Sequence, residues 1–256
     1  RIAEVSLNNR SISSTPVRKW ICRCCGNSVE AVPFLVASYR LLPDLCLYPY
    51  GECPICHSVT LLEEVDLSSF YGSNYERLKA VDLSAYCSTL ITRVAGVSGR
   101  WLASASIPEF IAEPLMRGLP TWVKWFRGLD VSANSPILDV GCGGGALLAH
   151  LRRFGFTRLV GIDPFLKVAE REQDRITLRK IRLSDCEETF QVIIFNHSLE
   201  HLEELVRELE LARAKLRPGG GVVVSLPIVG GQAWRRYRDN LWSFDAPLHR
   251  YLPTPE

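Results

Sequence analysis

"ILDVGCGGGALLAHLRRFGFTRLVGID" occupies residues 137–163. It opens on a short apolar run, ILDV, of strand length. GCGGG cannot continue a strand, so it reads as a turn. ALLAHLRRFG then repeats apolar residues at helical steps and stops at Gly155, and RLVGID is a second strand. Strand, glycine turn, helix, strand is the βαβ unit of a parallel sheet. Glycines at such a turn permit unusual dihedrals and let a ligand approach the backbone. Gly141, Gly143 and Ala146 satisfy the G-x-G-x-x-G/A spacing. Asp163 stands 163 − 141 = 22 positions after the first glycine, at the end of the next strand, where a carboxylate can grip ribose hydroxyls.

The same rhythm continues downstream. ITLRKIRL (176–183) and FQVIIFN (190–196) read as further strands, and GVVVSLPI (221–228) as a fifth. Between the last two, residues 198–220 predict a long helix. Leu202, Leu205, Val206, Leu209, Ala212 and Leu216 share one face, and Pro218 and Gly219 stop it. Glu200, Glu203, Glu204 and Glu208 crowd its start and Arg213, Lys215 and Arg217 its end, as the helix dipole favours. Upstream, SANSP (132–136) marks a turn, residues 71–130 read as largely helical, and residues 1–17 as a polar tail.

Composition narrows the classes. Lys plus Arg number 30 against 28 Asp plus Glu, so no basic excess points to nucleic acid. No apolar run is long enough to span a bilayer, and no signal peptide is visible. Nine cysteines, an odd count containing two C-x-x-C pairs, fit reduced thiols and metal binding better than a disulfide framework. A cytoplasmic location is the expectation.

Two nucleotides fit the glycine turn by spacing, NAD and S-adenosylmethionine (SAM), and charge separates them. A dinucleotide places its pyrophosphate over the helix N-terminus, where Asp139 would oppose it. SAM brings an ammonium, a sulfonium and a carboxylate, and Asp139 can hold the ammonium. Residues 137–165 closely resemble the first two motifs of class I SAM-dependent methyltransferases. FQVIIFNHSLEHL resembles the family's fourth-strand motif and ARAKLRPGGGVVVSLPI its fifth. NLWSFDAPLHRYLP is similar to a segment of the subgroup called methyltransferase domain 23. The resemblance implies an α/β, Rossmann-like sheet with helices on both faces. It implies that Asp139, Gly141, Cys142, Gly143 and Gly145 line the methionine end of SAM, with Asp163 and Pro164 at the ribose. Ser184 and Asp185 would lie by the adenine, and Asn196 and His197 would face the methyl donor. The family normally adds a further helix and two strands after the fifth strand. This sequence stops where that helix should begin, so missing C-terminal residues are expected.

His197, Glu200 and His201 also spell H-x-x-E-H, a zinc-peptidase pattern. That site needs both histidines on one helix face, whereas His197 lies at a strand-to-helix corner, where ligands of open α/β sheets bind. His201 reads equally as catalytic or as a helix-start residue bonded to backbone. A hydroxyl acceptor would profit from a general base. His197, His201 and His249 are the candidates, with Asp245 a possible orienter and His249 on a loop that would close over substrate. The alternative for that loop is a surface segment packed by Trp242 and Tyr251. Arg235, Arg236 and Arg238 could meet a phosphate or be solvated charges.

Cys22-x-x-Cys25-Gly and Cys53-x-x-Cys56-His form two knuckles that can place four thiolates on one structural zinc. Cys24 and His57 are possible substitute ligands. C-x-x-C-H is also a c-type haem pattern, but that would leave the other pair unexplained. Cys46, Cys87, Cys142 and Cys186 read as packing residues. The expected organisation is a tail (1–17), a zinc-ribbon-like module (18–70), a helical connector (71–134) and a SAM-binding domain (135–256). The expected function is SAM-dependent methylation of a small-molecule or glycan acceptor on O or C. The alternatives are an inactive scaffold of the same fold and an NAD-linked oxidoreductase.

Overall fold

A computed structural model describes residues 16–38, 46–67, 96–100 and 121–255. They fall into two compact units. One combines residues up to Glu64 with those from Ile228 onward, and the other is Val65–Pro227.

The first unit opens with β1 (Arg18–Ile21), paired antiparallel with β2 (Ser28–Ala31) around the first cysteine pair. A second antiparallel sheet holds β3 (Phe34–Ala37), β4 (Leu47–Glu52) and β5 (Val59–Leu61), with the second pair in the β4–β5 turn. Both pairs thus sit in tight hairpin turns, as a ribbon-like module requires.

In the second unit, α1 (Thr121–Trp125) precedes β6 (Pro136–Val140), α2 (Ala146–Arg153), β7 (Arg158–Ile162), β8 (Glu170–Gln173) and β9 (Ile176–Arg179). Then come β10 (Phe190–Asn196), α3 (Leu205–Ala214) and β11 (Leu216–Ser225). The sheet order is β11-β10-β6-β7-β9-β8. All neighbours are parallel except β8, which runs antiparallel to β9. The chain works outward from β6 through β7 to β9, then returns to lay β10 on the other side of β6. The crevice at the carboxyl ends of β6 and β10 is therefore a topological switch point, where ligands of open α/β sheets bind.

β6 is buried at every position, as a central parallel strand must be. Alternate residues supply two cores. Ile137, Val192 and Ile194 pack with Trp122, Phe126 and Leu148, while Leu138, Val140, Ile193 and Phe195 pack with Leu183, Leu199 and Ala212. α1 and α2 thus cover one face and α3 the other, which is the expected Rossmann-like layering.

Several expectations change. Among the described residues the β7–β9 crossover holds β8 in place of a helix. The helix expected over 198–220 is shorter, with a 3-10 turn at Leu199–His201 and then α3. Val206 is exposed rather than on the packed face. Residues 216–220 join β11 instead, across a register shift against β10 between Phe190↔Leu216 and Val192↔Gly221. Gly220 fits there because a Cβ would lie 2.6 Å from the Gln191 carbonyl oxygen.

Residues 228–255, expected within the SAM-binding domain, fall in the first compact unit. They leave β11 and join the first unit through α4 (Gln232–Tyr237) and β12 (Tyr251–Leu252), which pairs antiparallel with β5. That unit's first segment ends at Glu64, short of the expected 70. Of the expected connector, residues 96–100 and α1 are helical. Residues 71–95 and 101–120, with most of the tail, lie outside the described residues. No described helix is long and apolar enough to cross a membrane.

Candidate functional site

The loop after β6 is held by backbone geometry. Gly141, Gly143 and Gly145 all have positive φ, at 74°, 52° and 87°. The N–H groups of Gly141 and Cys142 both donate to the Ile162 carbonyl, at 2.8 and 3.2 Å. A Cβ on Gly141 would come within 2.5 Å of Ser198 Cβ. Ser198 Oγ in turn donates to the Val140 carbonyl at 2.6 Å, locking the ends of β6 and β10 together across the switch point. Cys142 is buried with its thiol toward β7. A Cβ on Gly161 would approach Cys142 Sγ to 2.7 Å, so the cysteine side chain packs the loop and leaves its backbone to meet a ligand.

Two carboxylates underlie the crevice. Asp163 accepts the Gly143 N–H at Oδ2 (3.0 Å) and the Phe165 N–H at Oδ1 (2.9 Å). Burial pushes it above the usual carboxylate range, against the lowering effect of those two donors. Asp139 is 3% exposed, and burial together with the Asp163 charge pushes its carboxyl up to about 8. Two buried acids side by side oppose ionisation, and a cation in the crevice would reverse that penalty. The donor set therefore fits a ligand carrying positive charge close to a glycine-rich backbone. Pro164 follows Asp163 at the surface.

The other expected residues are placed as follows. Ser184 and Asp185 lie on an exposed 3-10 turn after β9, where Asp185 Oδ2 accepts the Arg182 N–H at 3.4 Å. Asn196 ends β10, opposite Ser225. His197 has φ 52° and donates its N–H to the Ser225 carbonyl at 2.8 Å. Its half-exposed ring stands with Nδ1 3.5 Å from Oε1 of the buried Glu200. His201 ends the 3-10 turn and donates its N–H to the Ser198 carbonyl at 3.2 Å. The H-x-x-E-H residues thus span a left-handed corner and a 3-10 turn, so they do not present two histidines on one α-helical face. His249 and Asp245 belong to the first unit. His249 is buried with Nδ1 2.6 Å from the Ser243 carbonyl, which fixes the proton on that nitrogen, and its own carbonyl accepts the Tyr50 hydroxyl at 2.8 Å. Asp245 adopts φ 42° and its carbonyl accepts the Leu248 N–H. Of the two residues expected to pack this loop, Tyr251 is buried, together with Phe244, whereas Trp242 is 85% exposed.

The profile of the family Methyltransf_23, described as a methyltransferase domain, matches residues 109–256. The chain belongs to this methyltransferase family. Its class I sheet and switch-point loop are those described above. Curated relatives include the mitochondrial ubiquinone biosynthesis O-methyltransferase of Rattus norvegicus, 32% identical over 103 residues, which cover 35% of this chain and 30% of that protein. The ubiquinone biosynthesis O-methyltransferase of Azorhizobium caulinodans is 33% identical over 109 residues, covering 39% of this chain and 43% of the relative. The matched stretches thus span less than half of either relative. A solved coclaurine N-methyltransferase, bound to N-methylheliamine and S-adenosylhomocysteine (SAH), is 16% identical with a TM-score of 0.37, covering 74% of this chain and 68% of that one.

The chain's cysteine pairs converge in the first unit. The Sγ atoms of Cys22, Cys25, Cys53 and Cys56 all lie within 4.8 Å of one another. Cys22 and Cys56 approach to 3.6 Å and Cys25 and Cys53 to 3.8 Å. Four sulfurs at about 2.3 Å from one zinc form a tetrahedron with edges of about 3.8 Å, so the set fits that ion. The two knuckles repeat each other's backbone bonds. Cys22 N–H donates to Asn27 O and Gly26 N–H to Cys22 O, while Cys53 N–H donates to Ser58 O and His57 N–H to Cys53 O. Gly26 (φ 73°) and His57 (φ 57°) are equivalent left-handed corners. His57 is therefore the turn residue of its knuckle, which accounts for C-x-x-C-H without haem. Neither it nor Cys24 is in the four-sulfur group. The Asn27 backbone holds the Cys25 thiol down at about 6, and burial pushes Cys53 up to about 12.

Three contributors escaped the sequence reading. Ser198 wedges against Gly141. Glu200 was read as part of a peptidase pattern and as an acidic residue of a helix start, not as a buried neighbour of His197. Ser58, directly after the second knuckle, lies 3.3 Å from Cys22 Sγ and 3.0 Å from Cys56 Sγ. Of the expected packing cysteines, Cys142 and Cys186 are buried, Cys46 is exposed, and Cys87 lies outside the described residues.

Proposed function

We propose that the protein transfers a methyl group from SAM to a small-molecule or glycan acceptor, at oxygen or carbon. The observation that carries this reading is the pair of buried carboxylates, Asp139 and Asp163, beside three positive-φ glycines at the switch point. When bound, SAM supplies an electrophilic methyl on a sulfonium, already a good leaving group. Asp139 and the loop 141–145 would hold its methionine end, Asp163 and Pro164 the ribose, and Ser184 and Asp185 the adenine. Asn196 and His197, at the end of β10, would border the reacting end. An NAD pyrophosphate at the same loop would be opposed by Asp139, whereas Asp163 could serve the ribose of either ligand.

Much of the rate in such a displacement can come from alignment of the acceptor. The ubiquinone O-methyltransferase relatives favour a hydroxyl acceptor, which would lose its proton to a base. His197 is the proposed base. Its ring is half exposed, and the buried Glu200 carboxyl 3.5 Å from Nδ1 can orient it. His201, His249 and Asp245 are the other candidates. His197→Ala should then lower kcat about 10²–10⁴-fold while SAH affinity persists. Unchanged turnover would remove His197 from the reaction.

The four cysteines are proposed to hold one structural zinc, which metal analysis of the purified protein would detect as one equivalent. The test of the main reading is a calorimetric titration with SAH, using NAD as control, followed by an acceptor screen. Micromolar binding of SAH alone is expected. Binding of NAD in its place would favour the oxidoreductase reading. SAH binding without turnover on any acceptor would favour a scaffold of the same fold.

A further inference from the structure

The residues that leave the catalytic sheet after β11 return to complete the cysteine module. Leu252 and Tyr251 of β12 pair with Val59 and Thr60, directly after the second knuckle. Leu61 N–H donates to the Arg250 carbonyl at 2.8 Å. Thr254 Oγ1 donates at 2.9 Å to the carbonyl of Cys56, itself one of the four sulfur-bearing residues. Val229 N–H donates to the Pro253 carbonyl, tying the start of the returning segment to its end. Arg238 bonds Glu52, next to Cys53, at 2.7 Å and lies 4.2 Å over the Trp234 ring. Trp234 and Phe244 of the same segment pack on Phe34 of β3.

These contacts converge on the cysteine knuckles, whose own buried cluster is small, while Tyr50, Val59, Leu61, Phe244, Tyr251 and Leu252 are buried outside that cluster. Among the described residues, Cys22, Val29 and Cys53 form the buried cluster at the cysteines, with Trp20, Cys24, Cys25 and Cys56 packed against it. So few buried groups cannot by themselves offset the cost of ordering two hairpin turns. Four thiols brought together without a metal also lack the bond energy that would hold them. The Cys53–Ser58 turn is at once half of the metal cluster and the platform for β12 and Thr254.

We propose that metal occupancy of the four-cysteine cluster sets the order of residues 250–254, with the Thr254 hydroxyl on the Cys56 carbonyl as the direct coupling contact. This rests on the zinc reading of the cluster. By linkage, if bound metal orders the segment, then loosening the segment weakens metal binding by the same factor. Ser58 supports the same cluster from its other side, through its contacts to Cys22 and Cys56.

The experiment uses the whole protein. Metal content is measured first. Hydrogen exchange is then compared between the zinc-loaded protein and the protein stripped with a chelator. Faster exchange is expected in both knuckles and across 250–254 together, with β6 and β10 unchanged. In parallel, Thr254→Val and Thr254→Ser are titrated with zinc against a competing chelator. The loss of one hydrogen bond predicts about fivefold weaker zinc binding for Thr254→Val, with Thr254→Ser near wild type. Exchange that rises in residues 22–27 and 53–58 but leaves 250–254 protected overturns the proposal. So does a Thr254→Val variant with wild-type zinc affinity. A purified protein that holds no zinc and takes up none overturns the zinc reading itself, and the metal analysis identifies that failure separately.

Discussion

Gly141 has no room for a side chain and no conformation that would suit one. Its φ of 74° is left-handed, and a Cβ would lie 2.5 Å from Ser198. Gly141→Ala should therefore cost about 1–3 kcal/mol and displace the loop. SAH affinity should fall at least about tenfold, a loss of about 1.4 kcal/mol, as read by calorimetry. Asp139 makes a prediction in pH. Its carboxyl is pushed from 3.8 to about 8 in the folded protein. Below about pH 4 it is protonated in both folded and unfolded chains. Between there and about pH 8 only the unfolded chain has ionised it, so its contribution to stability falls as pH rises across that window, then levels. Asp139→Asn should match wild type near pH 4 and exceed it near pH 8 in denaturant titrations without ligand. A cation-bearing ligand reverses the preference, so SAH binding at pH 7 should release protons. Titrations in two buffers of different ionisation heat would show this, and Asp139→Asn should abolish it.

At the scale of elements, the sheet rests on α1 through Trp122, which packs edge-on to Phe156 at 5.0 Å and also meets Phe126 and Phe154. Trp122→Ala should cost about 3–5 kcal/mol in chemical denaturation. A smaller loss would mean that the pocket collapses around the alanine. β6, β7 and β10 were legible in the sequence because each is buried on both faces and so reads as a continuous apolar run. The glycine loop was legible because its φ values leave few residue choices. β8 was not, since EREQ is an edge strand with no apolar side to show. The end of the 198–220 helix was misplaced because Leu216 continues the helical spacing while pairing with Phe190. In the site, the cysteine spacing and Asp163 carried their own signal. His197 was placed at its corner correctly, but nothing in a single sequence shows that Glu200 is buried behind it. β12 was invisible for a different reason. Two residues form it, and its partner lies near the other end of the sequence.

The whole molecule is two units, and heat should resolve them. With zinc in the four-cysteine cluster as proposed, a chelator should lower the transition of the unit that carries the cysteines. Saturating SAH should raise the transition of the sheet unit, by about 2.7 kcal/mol of added stability at a hundred times Kd. Calorimetric scans with each addition would check both, and movement of the wrong transition would contradict the assignment. The pairing of β12 with β5 also bears on how the protein is made. The Thr254 contact spans 198 residues of sequence to reach Cys56. A ribosome working at about 5–20 residues per second delivers those residues over about 10–40 s. During that interval the cysteine hairpins are outside the ribosome and lack the strand that completes them, while the sheet unit between them is still being synthesised. The nascent chain should therefore expose reactive thiols for longest at these hairpins, and early access to zinc during translation should protect them from oxidation.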